Sequence, residues 1–146
     1  MKKQIAATLI ALTAASTAFA QIDIGQAGKT SIDQSKTLAI AKEIVAYNAN
    51  VAGYAATCGI GEKEVRKIAS NTYVTLILLD QTPREIENHR ARFNRTALQI
   101  TIDAKEKPVP KENCDKIKSE FPKIIRDIEA FNRDIAKAQK TAEASQ

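Results

Sequence analysis

The sequence predicts an all-α fold: a four-helix bundle whose last helix is kinked or split at Pro122, closed by one disulfide. Three observations carry this. Cys114, Ile117, Phe121, Ile124, Ile128, Phe131, Ile135 and Ala138 follow one another at spacings of 3, 4, 3, 4, 3, 4 and 3, the repeat of a helix with one continuous apolar seam. Thr82-Pro83-Arg84-Glu85 combines a capping hydroxyl, a proline at the first helical position and a glutamate three residues after the cap, a strong helix-start signal. The chain has no Trp, four Phe and three Tyr among 146 residues, so its core must be built from Ile, Leu, Val and Ala, which suits packed helices.

The N-terminus reads as a secretory signal peptide over residues 1–20. Lys2 and Lys3 give a positive start, Ile5 to Ala15 a short apolar run, and Ala18-Phe19-Ala20 the small residues that signal peptidase reads, leaving Gln21 as the new N-terminus. The apolar run falls short of the roughly 20 residues a spanning helix needs. No cysteine lies near the cleavage site, which argues against a lipoprotein. Nothing later in the sequence is long and apolar enough to cross a bilayer. Residues 21–30, with Gly25 and Gly28 and no period, read as a flexible leader.

Residues 31–140 form the expected helical domain. Ser31 or Asp33 caps a first helix running to about Thr57, with Leu38, Ala41, Ile44, Val45, Val51, Ala52 and Ala55 on its apolar side. Gly59 and Gly61 follow Cys58 and supply the left-handed stop that helices favour. A second helix spans about Glu62 to Asp80, with two acids in its first turn. Val65, Ile68, Ala69, Thr72, Tyr73, Leu76, Ile77 and Leu79 recur mostly three and four apart. Residues 73–79 are apolar nearly all round, so this helix is expected to be the most buried. The third runs from Pro83 to about Lys105 on Ile86, Phe93, Ala97, Ile100 and Ala104, and Lys107-Pro108-Val109-Pro110 ends it. The fourth carries the seam described above, with Pro122 inside it. A disordered polar tail, residues 141–146, is expected to close the chain.

The 22 Lys and Arg against 17 Asp and Glu give +5. Loss of Lys2 and Lys3 with the signal leaves 20 against 17, a net +3. That mild surplus is no nucleic-acid footprint, which needs clustered cations on one face. The two cysteines, Cys58 and Cys114, most simply form a disulfide in an oxidising compartment. The alternative, a reactive thiol or redox pair, lacks the C-x-x-C spacing. The bridge would join the end of the first helix to the first turn of the fourth. In an up-down-up-down bundle these lie at the same pole. Closing so long a loop contributes about 4 kcal/mol on the chain-entropy model.

No catalytic or cofactor motif stands out. His89 follows Glu85 by four residues, but a metal site needs three or four ligands and His89 is the only histidine. The pair reads as a surface ion pair, and no nucleophile elbow accompanies it. One histidine and a mild charge balance also argue against a pH switch. The densest cationic stretch is residues 89–95. Arg84, Asn88, Arg92 and Arg95 share one helix face, extended by Gln99, and offer planar forks for a carboxylate, a phosphate or an acidic protein partner. Their bland reading is a solvated face balanced by Glu85 and Glu87. Only Phe93 interleaves the arginines, too little for a nucleic-acid stacking platform. Tyr47 and Tyr54 read as a pair at the core edge with hydroxyls reaching water. Asn94-Arg95-Thr96 matches a glycosylation sequon.

These features describe a non-enzymatic protein of the periplasm or exterior that presents a helix surface to a protein partner, with an immunity or inhibitor role as the sharper form. The alternative is a periplasmic chaperone or envelope-stress factor, which would need an exposed apolar groove or acid-triggered opening. Mass spectrometry of the exported protein checks the frame: the chain is expected to begin at Gln21 and to take up no thiol reagent until reduced. Two free thiols would end the disulfide.

Overall fold

The computed structural model describes residues 34–145. The signal, the leader and the Ser31 and Asp33 cap positions lie outside the described residues. Four helices follow: α1 (Gln34–Thr57), α2 (Glu62–Leu78), α3 (Pro83–Glu106) and α4 (Lys111–Glu143). No strand occurs among the described residues. The all-α bundle with one disulfide is the observed fold, and the Cys58 and Cys114 Cα atoms stand 5.1 Å apart.

The local signals act as the residues dictate. Gly59 closes α1 at φ 81°, a conformation cheap only for glycine. Thr82 and Glu85 form the reciprocal capping box: the Thr82 hydroxyl accepts from Glu85 N–H, and the Glu85 carboxylate accepts from Thr82 N–H at 2.8 Å. The last helix is neither split nor interrupted: its 33 residues run through Pro122. Pro122 and Lys118 are both exposed, so the Lys118 carbonyl that loses its helical donor stands on the wet side of the helix. The seam on either side stays in the core, with Ile117, Phe121, Ile124, Ile128, Phe131 and Ile135 all buried. The helix continues to Glu143, into the stretch expected to be a disordered tail.

Residue pairs fix the topology. Gly53 meets Ile100, and Lys42 stands within electrostatic range of His89, so α1 and α3 run parallel. Thr75 bonds Asn132 and Leu78 receives Gln139, so α2 and α4 also run parallel. The disulfide at one end, and Tyr47 beside Asp127 and Glu120 further along, set α4 antiparallel to α1. Helices α3 and α4 do not approach each other. In cross-section the bundle is a rhombus, with α1 and α2 along its short diagonal and α3 and α4 at the far tips. The Lys107–Pro110 link crosses the pole that holds the disulfide.

The most buried helix is α1, not α2. Ala41, Ile44, Val45, Ala49, Val51, Ala52 and Ala55 are buried, whereas Tyr73, Val74 and Ile77 of α2 are 42, 41 and 49 % exposed. Small side chains are the reason. Three helices pack around α1, and only a surface rich in Ala and Gly lets them come close. Gly53 marks the tightest point, where an added Cβ would lie 2.9 Å from Ile100 Cβ and 3.0 Å from the Ala97 carbonyl oxygen.

Buried polar side chains set the register of α2. Asn48 Nδ2 donates to Thr72 Oγ1 at 2.8 Å. Thr75 Oγ1 donates to Asn132 Oδ1 at 2.6 Å, and Asn132 Nδ2 donates to the Asn71 carbonyl at 3.0 Å. Each bond holds only when the helices sit at one axial offset. Tyr47 is half-buried against α4, its phenol pushed up to about 12 first by burial and then by Asp127 and Glu120.

Substituting Gly53→Ala is expected to cost about 1–2 kcal/mol, the overpacking penalty less the better helix propensity of alanine. That corresponds to a melting temperature lower by about 5–10 °C. Gly61, where an added Cβ meets nothing, supplies the contrast. Gly61→Ser offers a hydroxyl to the uncapped start of α2 and is expected to hold or slightly raise the melting temperature. Thermal unfolding by circular dichroism reads both.

Candidate functional site

Helix α3 divides into three strips. Its inner strip, Ile86, His89, Phe93, Ala97, Ile100 and Ala104, is buried or half-buried. Its outer strip carries Arg84, Asn88, Arg92 and Arg95, all exposed. Among the described residues none of these three arginines has a carboxylate within ion-pair distance. The two acids expected to balance them are committed elsewhere. Glu85 serves the cap, which together with His89 holds its carboxyl below the usual range, and Glu87 pairs with Arg90 at 3.5 Å. Gln99 donates to Asp103 at 2.7 Å.

Two apolar residues stand on the same outer side. Leu98 is 60 % exposed and Ile102 44 %. They lie four apart, one helical turn. With Ala91 and Arg95 they make a stripe of mixed basic and aliphatic character running up the helix. The sequence pattern gave neither Leu98 nor Ile102 a role. The signal was available, since both fall outside the Ile86–Ala104 seam.

The third strip faces α2 across a groove of about 350 Å³. Leu76 and Phe93, both buried, form its floor, and Ala69 and Ser70 leave its α2 wall low. Arg90 stands over the Tyr73 ring at 5.7 Å from the centroid, a cation–π pair at the rim. Asn94, of the sequon, lines the α3 side. The cause of the groove lies on the other side of α3: its tight seat on α1 at Gly53 draws it away from α2, which it touches more sparingly.

His89 is no surface ion-pair partner. It is only 6 % exposed and lines this groove, because it fills the gap between Ile86 and Phe93 in the apolar seam. Burial pushes its imidazole down, opposed by Glu85 and assisted by Arg92 and by Lys42 from α1. Among the described residues no group of three or more metal-ligating side chains occurs, and no helix is long and apolar enough to cross a membrane.

No protein-family model, curated protein or solved structure matches this chain.

The depressed imidazole sets a pH dependence. The unfolded chain accepts a proton at His89 near pH 6.5, while the folded chain resists it. Below that pH the unfolded state therefore binds more protons, and stability falls as pH drops through 6.5 towards the lower folded value. Glu85 acts in a separate, more acid window. Denaturant unfolding at intervals between pH 7.5 and 5 is expected to show stability declining for the wild type and a flatter profile for His89→Gln. Parallel profiles would remove His89 as the cause.

Proposed function

We propose that the protein is an exported, non-enzymatic helical binding protein that engages a protein partner through the outer face of α3, in the manner of an immunity or inhibitor protein. The observation that carries the reading is one of placement: Leu98 and Ile102 stand exposed on the same helix face as three arginines that have no acidic partner among the described residues. Interfaces concentrate their energy in a few apolar and arginine anchors of this kind, and exposed aliphatic residues cost nothing to cover. The uncompensated guanidinium forks favour a partner with carboxylates at matching positions.

Export is supported by the N-terminal residue pattern and fits the disulfide, which persists outside the reducing cytoplasm. A rigid, crosslinked bundle also suits a protein that binds without refolding, since little entropy is lost on docking. The chaperone alternative gains one feature, the groove beside exposed Tyr73, Val74 and Ile77.

Capture from an envelope extract separates the two. An inhibitor returns one partner in fixed stoichiometry, a chaperone many weak clients. The double reversal Arg92→Glu, Arg95→Glu and the single change Leu98→Ser are each expected to reduce capture of the stoichiometric partner by about tenfold or more, the size of a hot-spot loss. All these sites are exposed, so the melting temperature is expected to stay within a few degrees. Unchanged capture would reject this face.

A further inference from the structure

We propose that the groove between α2 and α3 is a binding site for a small monocarboxylate with an apolar, preferably aromatic, body, the carboxylate held by Arg90 and the His89 imidazole. Four features of the groove converge on that chemistry. Its volume, about 350 Å³, lies at the small end of the range that holds organic ligands. Its floor is the Leu76 side chain and the Phe93 ring, which suit a flat apolar body. At the rim Arg90 carries a fixed positive charge. Among the described residues its only acidic partner is Glu87 at 3.5 Å, with both side chains well exposed, and so loose a surface pair competes weakly with a ligand.

The fourth feature is His89. It is only 6 % exposed and lines the groove, and neither ring nitrogen is among the buried polar atoms left without a partner, so the imidazole opens onto the groove. A ring N–H that opens onto an otherwise apolar groove is free to donate to a bound carboxylate. The charges around it select the sign of that partner: Arg90 and Arg92 from α3 and Lys42 from α1 outweigh Glu85 and Glu87, and α2 brings no charged residue to the lining. A cationic ligand is repelled. A phosphate dianion, which seeks several cations or a cradle of backbone donors, finds one guanidinium at the mouth and a greasy floor. A monoanion with an apolar body uses both halves of the site.

The single histidine makes the test direct, because its ring signals are unambiguous in a proton NMR spectrum. The disulfide-bonded protein from Gln21 onward is titrated with 2-naphthoate, with neutral 2-naphthamide and with inorganic phosphate. The expected result is a saturable shift of the His89 signals by naphthoate, binding about tenfold weaker for the amide, which lacks the charge-assisted bond, and no shift by phosphate. Arg90→Gln is expected to weaken naphthoate by a similar factor. Ala69→Leu, a change at an exposed position on the groove wall, is expected to abolish binding while the protein stays folded. Unmoved His89 signals at millimolar naphthoate would overturn the site. Equal binding of the amide, or an Arg90→Gln variant that binds as well as wild type, would overturn the carboxylate. A phosphate response matching that of naphthoate would overturn the apolar body.

Discussion

The contact between α1 and α3 at Gly53 governs the rest of the structure. Parallel neighbours in a bundle usually stand apart, since their side chains must interleave at about 8–10 Å between axes. Here Gly53 and the alanines around it leave room for Ile100 and the Ala97 carbonyl to press directly onto the α1 backbone. Three consequences follow from that one close approach. Helix α3 is drawn to α1 and away from α2, which opens the groove. It is also held away from α4, so none of the described helices covers its outer strip. Finally, α1 becomes the most buried helix of the bundle, because its small side chains let α3 approach more closely than any other pair of helices.

The disulfide and the polar bonds hold the opposite half in place. Helix α4 touches α2 along its length and α1 more lightly, so it needs fixing in both rotation and height. Asn132 and Gln139 fix its height against α2 through side-chain and carbonyl partners, and the bridge at Cys114 pins its first turn to the end of α1. Such bonds add little net free energy when formed, yet each costs the full desolvation of its groups when broken. They discriminate between axial offsets more than they stabilise any one of them. The apolar seam alone would tolerate a slip by a heptad, and the buried amides do not.

Much of this was legible in the residues. The helix boundaries came from local chemistry that acts within a few residues: the Thr82–Glu85 box, the Gly59 stop, the paired prolines after α3. The crosslink came from counting cysteines and noting where the two helix ends fall. Burial ranking was misread because hydropathy does not measure size. Tyr73, Val74 and Ile77 look like core by composition, while the alanines of α1 look unremarkable, yet close packing rewards the small side chain. His89 was misread for a related reason. Glu85 four residues earlier suggested a surface pair, but His89 sits three after Ile86 and four before Phe93, and its place in that seam outweighs the ion pair. Pro122 leaves the last helix unsplit, since a proline on the wet side of a long helix forfeits a bond whose carbonyl water can reach.

The groove was not legible, because it depends on what two helices fail to do. A sequence pattern shows which side chains seek a neighbour, whereas a gap arises from the competition between neighbours, and that competition is settled by Gly53, some sixteen residues or more from any lining residue in the chain. The same reasoning explains why chemistry and framework meet on α3. A helix held firmly along one strip is free to vary along the other two without loss of fold. Like-charged arginines that lack an acidic partner among the described residues, and a buried imidazole that resists its proton, each carry some cost in stability, and a marginally stable domain retains few such costs. On α3 they occur together on a helix with a rigid seat, and the proposal that α3 is the binding element rests on that coincidence.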